Sequence, residues 1–203
     1  AATAAGGLTG LPAAWFMARH NFPAKELVST VLEIPIMLPP LVSGIALLIF
    51  FGPVLGRLLA RAGLDVVFTW RGVAVAQWFV AAPFGIKVFR EAFEAVNPRL
   101  EMAARSLGCS PAMVFFRVTL RLAGRGILAG ITMVWARTLG EFGAAAMLAG
   151  ITRMKTETLP AAIFVNTSLG DIDFAVAAAV VMLVMAGLLL LLLKIFTGRK
   201  AVS

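Results

Sequence analysis

From Phe174 to Leu193 the chain runs for 20 residues without one charged side chain. A helix needs about 20 apolar residues to cross the hydrocarbon of a bilayer. Lipid offers no partner to a bare peptide group, so a spanning segment must satisfy its backbone internally. No strand-like alternation of apolar and polar residues appears, which leaves helix. Composition agrees: 61% of the 203 residues are hydrophobic and 14% charged, against about 45–50% and 25% in soluble domains. Four further stretches read as spans, Ala1–Ala18, Val31–Phe51, Val73–Phe89 and Gly126–Ala149. The expected architecture is all-α, a polytopic transmembrane helical bundle forming one domain over residues 1–203. Ala1–Ala18 lacks the basic lead of a signal peptide and reads as a helix entered partway along. Five spans are visible, and a sixth is expected ahead of residue 1.

The net charge of +8 invites a nucleic-acid reading, but no basic patch is interleaved with aromatics as single-strand binders require. Membrane proteins reach the same sum by concentrating Lys and Arg in cytoplasmic loops. Twelve basic residues fall in Arg19–Ser29, Lys87–Arg125 and the tail after Leu193, whereas five (Arg57, Arg61, Arg71, Arg153, Lys155) fall on the other side. The first side is therefore read as cytoplasmic, which places the C-terminus inside a multi-pass membrane protein. Cys109 is the single cysteine and His20 the single histidine, so neither an internal disulfide nor a multi-histidine metal site is available. The expectation is no metal site, no nucleic-acid partner, and membrane lipid as the surrounding phase.

The informative polar segment is 91–121. Asn97 is placed to cap a helix whose first residue is Pro98, and Gly108 to close it in a left-handed conformation. Ser110 and Pro111 repeat the start signal for a second helix. Leu100, Ala103, Ala104 and Leu107 recur at helical spacing, with Arg99, Glu101 and Arg105 on the flanks. This pattern suits either a helix resting on the membrane surface or a helix docked into a partner.

Here the residues resemble permeases of binding-protein-dependent ABC importers, which carry EAA, three residues, Gly, nine residues, then I-x-L-P. Ala103, Ala104 and Gly108 match, Val118 stands at the isoleucine and Leu120 at the leucine. Met102 replaces the glutamate and Arg121 the proline. Glu101 directly precedes the replaced position but points about 100° away around the helix. From about Leu11 onward the chain is similar to permeases of molybdate, tungstate and sulfate importers, through IPIMLPPLVSGIALLIFFG, EAFEAVNPRLEMAARSLG, FFRVTL, WARTLGEFGA and KTETLPAAIF. The resemblance implies a type I importer permease in the cell (inner) membrane, moving molybdate or tungstate. It implies a homodimer with two copies of an ABC ATPase, and an extracytoplasmic oxyanion-binding protein that delivers the anion. Arg99, Leu100, Glu101, Met102, Ala103, Ala104, Arg105, Leu107 and Gly108 would form the coupling helix seated in the ATPase. A sulfate/thiosulfate permease is the close rival, and a membrane-embedded enzyme or scaffold subunit the distant one.

No G-x-x-x-x-G-K-[ST] phosphate loop occurs, since no lysine follows a glycine. ATP and Mg are thus expected on the partner ATPase, with no cofactor bound here and no catalytic residue. Arg137 and Glu141 are i,i+4 neighbours within an apolar span, where charges face protein or a water-filled path. They read either as a gating pair or as a fixed lock between helices. Pro39 and Pro40, with Pro35, interrupt the Val31–Phe51 stretch and mark either a packing kink or a broken helix lining the path. Arg153 and Lys155 read as oxyanion contacts or as solvated loop charges, and Thr158–Val165 as a short re-entrant piece.

Overall fold

The computed structural model describes residues 1–198, excepting the side chains at 192, 193 and 195–198. The tail carrying Arg199 and Lys200, and with it the expected cytoplasmic C-terminus, lies outside the described residues. Every regular element among the described residues is a helix. In order come α1 (Ala2–Arg19), α2 (Lys25–Met37), α3 (Pro40–Ile49), α4 (Gly56–Arg61), α5 (Trp70–Glu94), α6 (Pro98–Ser106), α7 (Pro111–Val114), α8 (Leu120–Leu139), α9 (Gly143–Ala149), α10 (Leu159–Leu169) and α11 (Ile172–Gly198). Two π-helical turns, Phe50–Val54 and Phe115–Thr119, continue α3 and join α7 to α8. The first follows from chemistry: Pro53 has no N–H to donate, and the Leu55 N–H reaches back five residues to the Phe50 carbonyl at 2.8 Å.

α5 is the central pillar, with α1 and α8 packed along it and α9 against its other end. Small residues make this possible. Phe89 is fully buried, and a methyl group added at Gly10, Gly85 or Gly130 would press on its ring. A methyl at Gly126 would strike Ala92, and one at Gly6 would approach Val134 at 3.0 Å. Bilayer helices gain little from apolar burial alone, so close backbone approach through small residues supplies the van der Waals contact that holds them. Phe89, Phe93, Val96, Ala123, Ile127 and Ala14 form one core cluster. Leu47, Ala76, Val80, Ala144, Ala145 and Leu148 form a second, where α3 and α9 meet α5.

The expected spans change in two places. Val31–Phe51 is not one helix: α2 and the following α3 segment are bent by 112° at Leu38–Pro39. Both residues precede a proline, whose ring disfavours the helical region for its predecessor, and both hold extended backbone with ψ 136. Gly126–Ala149 is likewise divided, because α8 ends at Leu139 and α9 begins only at Gly143. Ala1–Ala18 corresponds to α1 with Ala1 as its N-cap, Val73–Phe89 lies within α5, and the described part of Phe174–Phe196 within α11. Among the described residues α5 and α11 are each long and apolar enough to cross a membrane, and the bent α2–α3 pair passes together as a third. The short Thr158–Val165 piece forms most of α10, which packs on α11.

Gly130→Ala should destabilise the bundle by about 1–3 kcal/mol through overpacking against Phe89. In detergent this should lower the melting temperature by at least about 2 °C. An unchanged melting curve would show that the Phe89 cradle is not tightly filled.

Candidate functional site

The segment 91–121 folds as a helical elbow. Asn97 Oδ1 accepts the Arg99 N–H at 3.0 Å, and Pro98 occupies the first turn, where its missing donor costs nothing. At the far end Gly108 takes φ +85. The Cys109 N–H then reaches the Ala104 carbonyl at 3.1 Å and the Gly108 N–H the Arg105 carbonyl at 2.9 Å, satisfying carbonyls the helix end would strand. Ser110 caps the next helix by accepting from the Met113 N–H at 3.3 Å. Three local signals thus close α6 on both sides.

No residue of α6 is buried. Its outward face is apolar: Leu100 is 49% exposed, Met102 58%, and Leu107, just after the helix, 85%. Ala103 is exposed between them, and Arg99, Arg105 and Gly108 are exposed around them. The remaining two expected site residues turn the other way. Ala104 is half-buried, and Glu101 is folded inward with 14% of its side chain exposed. Its Oε1 accepts from Arg19 Nε at 3.1 Å, Arg19 Nη2 at 2.8 Å and Thr119 Oγ1 at 2.7 Å. Arg19 Nη2 also donates to the Val96 carbonyl at 3.1 Å. Hydrogen bonds to charged groups contribute about 1.5–3 kcal/mol each, so this node is a substantial anchor. Sequence reading named Glu101 but missed Arg19 and Thr119. They lie 82 and 18 residues away, and no local pattern links them to α6.

The second expected group is also assembled, in a different setting. Arg137 Nη1 lies 3.2 Å from Glu141 Oε2, yet the two do not share one continuous helix. Glu141 sits in the break after α8, where Gly140 and Phe142 flank it. There its Oε1 accepts the Ala144 N–H at 2.9 Å, so the carboxylate caps α9 while pairing with the last turn of α8. Glu141 is 1% exposed, and the Arg137 guanidinium lies over the Phe84 ring at 5.6 Å. The carbonyl of Thr138, in the last turn of α8, accepts from the Glu141 N–H at 3.3 Å and from Gln77 Nε2 at 3.2 Å.

Pro39 and Pro40 come to the same place. A methyl at Gly143 would meet Pro40 Cβ and the Leu41 nitrogen at 3.1 Å, and one at Gly44 would meet the Ala144 backbone at 2.8 Å. The proline break of one helix pair therefore crosses the glycine break of the other. Ser43, fully buried near this crossing on α3, has a hydroxyl without a hydrogen-bond partner. Arg153 and Lys155 lie in the exposed loop between α9 and α10.

Residues 10–200 match the family model described as binding-protein-dependent transport system inner membrane component. The chain is 34% identical over 97% of its length to the sulfate transport system permease protein CysT of Salmonella typhimurium, covering 73% of that protein. It is 36% identical over 91% of its length to the molybdenum transport system permease protein ModB of Mycobacterium tuberculosis, covering 70% of it. Among solved structures it resembles a chain of a bacterial alginate ABC transporter in complex with an alginate pentasaccharide-bound periplasmic protein. That superposition has a TM-score of 0.71 at 18% identity and covers 98% of this chain and 75% of the other. A chain of an amino acid ABC transporter aligns with a TM-score of 0.66 at 23% identity over 98% of this chain and 86% of that one.

Glu141→Ala should cost about 1–3 kcal/mol, the range for leaving a buried donor, here the Ala144 N–H, unsatisfied, while Glu141→Gln, which keeps an oxygen for that N–H, should cost less. Thermal unfolding of both purified variants measures the difference. Equal melting of Glu141→Ala and the parent would remove the capping role.

Proposed function

The chain belongs to the family of binding-protein-dependent transport system inner membrane components, and from that premise we propose that it carries a tetrahedral oxyanion across the membrane as the permease subunit of an ABC importer. The observation that carries the mechanism is α6: a short helix, capped at both ends, that presents Leu100, Met102, Ala103 and Leu107 outward. In this reading that face seats in a cleft of a separate ATPase, with Arg99 and Arg105 at its rim. α6 is then the coupling helix on the cytoplasmic side, and ATP with Mg sits on the ATPase. Two copies of the chain and two ATPases make the transporter, and an extracytoplasmic binding protein presents the anion. ATP binding draws the ATPases together, α6 passes the motion on, and the bundle rocks to face outward; hydrolysis returns it. The anion passes unchanged, so this chain is not an enzyme.

The proposed spans are α1, the broken α2–α3 pair, α5, the α7–α9 stretch with its break after Leu139, and α11. At the crossing of the two breaks, Arg137–Glu141 and Pro39–Pro40 would line the path and hold one of its two states.

Molybdate is the first reading of the cargo, with tungstate as its closest chemical relation. Sulfate is the second, supported by similarity to a sulfate permease along almost the whole chain. All three anions are tetrahedral dianions, and no group singled out in the sequence tells them apart. Competition does: cells expressing the transporter should take up labelled molybdate, and excess unlabelled sulfate should leave that uptake unchanged. Loss of molybdate uptake under sulfate excess would favour the second reading. Tagged chain should also hold an ATPase through purification, and Leu107→Asp or Met102→Asp should release it. Retention of the ATPase by both charged variants would sink α6 as the docking face.

A further inference from the structure

α6 is barely held by packing. None of its residues is buried, and the chain enters it through Val96–Asn97 and leaves it through Gly108–Ser110. Besides its packing on α7 and the following π-helical turn, its long-range polar attachment to the bundle converges on one oxygen. Glu101 Oε1 gathers donors from Arg19, at the end of α1, and from Thr119, in the π-helical turn that leads into α8. Arg19 extends the node to the carbonyl of Val96, a member of the Phe89 core cluster. Thr119 is 1% exposed, and the Arg19 and Glu101 side chains are 13% and 14% exposed, so water competes weakly for these bonds.

The placement has a mechanical consequence. α1 and α8 are the two helices packed along the central α5, and through Glu101 α6 touches the end of α1 and the π-helical turn that opens into α8. A carboxylate suits the task, because a single acceptor oxygen can take several donors while its charge holds the planar guanidinium in orientation. A π-helical turn is a helix segment able to absorb a local shift, and such turns recur at functional sites. Glu101 precedes Met102, which stands at the family's glutamate position, and its side chain points away from the outward face.

We propose that Glu101 is a positioning residue: clasped by Arg19 and Thr119, it converts displacement of α6 into movement of α1 and α8, and makes no contact with the ATPase. This rests on the reading of the chain as an ATP-driven permease. Glu101→Ala, Arg19→Ala and the double variant, each as full-length chain co-purified with its ATPase and reconstituted in liposomes with the binding protein, test it. ATP hydrolysis and uptake of labelled molybdate and sulfate are measured together. The expected result is an ATPase that stays bound and hydrolyses ATP, with anion moved per ATP falling about tenfold in each single variant. The double variant should be no worse than either, and Arg19→Lys should recover part of the loss.

A parental uptake-to-hydrolysis ratio in Glu101→Ala, or losses that multiply in the double variant, would overturn the clasp. Release of the ATPase by Glu101→Ala would overturn it too, since the residue would then serve docking. If Glu101→Ala does not accumulate, Thr119→Val removes one bond of the node and keeps both charges. It should lower the ratio at least twofold, and no change would reject the proposal. A parental complex that holds no ATPase, or moves neither anion, strikes the permease reading instead.

Discussion

The bundle depends on how closely three helices can approach around one aromatic ring. Phe89 fills the space left by Gly10, Gly85 and Gly130, which come from α1, α5 and α8. In a bilayer the surrounding tails are as apolar as the side chains, so burial by itself gives little reason for helices to associate. Contact density does, and glycine raises it by removing the side chain that would keep backbones apart. The same device recurs where Gly44 and Gly143 bring α3 onto α9. Both ends of α5 are thus joined to neighbours by small residues, and the groups with chemistry are carried on the frame that results.

Two broken helices cross on that frame. Breaking a helix in an apolar setting strands backbone groups, and each break here recruits its own remedy. At Leu38–Pro39 the prolines lack donors to strand. After Leu139 the carbonyl of Thr138 takes a hydrogen bond from Gln77, and the Ala144 N–H in the first turn of α9 finds Glu141. Arg137 balances the charge that Glu141 brings into a buried place. One carboxylate therefore serves as cap and counter-ion at once, which is why an ionisable group is tolerated there.

The elbow is built on the opposite logic. Its shape is local, set by Asn97, Pro98, Gly108 and Ser110, and its outward apolar face is left open. Its polar attachment is long-range, through one carboxylate oxygen. In the proposed mechanism α6 is presented to a partner and reports to the bundle, and this division of local shape from long-range attachment suits that role. Family membership and the solved structures it resembles give the frame, while the docking role of α6 belongs to the proposed mechanism.

Much of this was legible in the amino-acid order. The uncharged run of α11 required a membrane helix, and Asn97, Pro98 and Gly108 marked the ends of α6 to the residue, because caps act within one turn of the backbone. The prolines at 39 and 40 announced a disturbance, though not that its angle would reach 112°. The break after Leu139 was hidden, because Gly140 and Phe142 do not forbid helix; the pull of Glu141 on the Ala144 N–H and the fit of Gly143 against Pro40 decide it. The direction of Glu101 was hidden for the same kind of reason. Periodicity gives an angle around one helix, but which angle faces inward depends on Arg19, 82 residues earlier, and only the packing of α1 against α5 and α8 brings that guanidinium within reach.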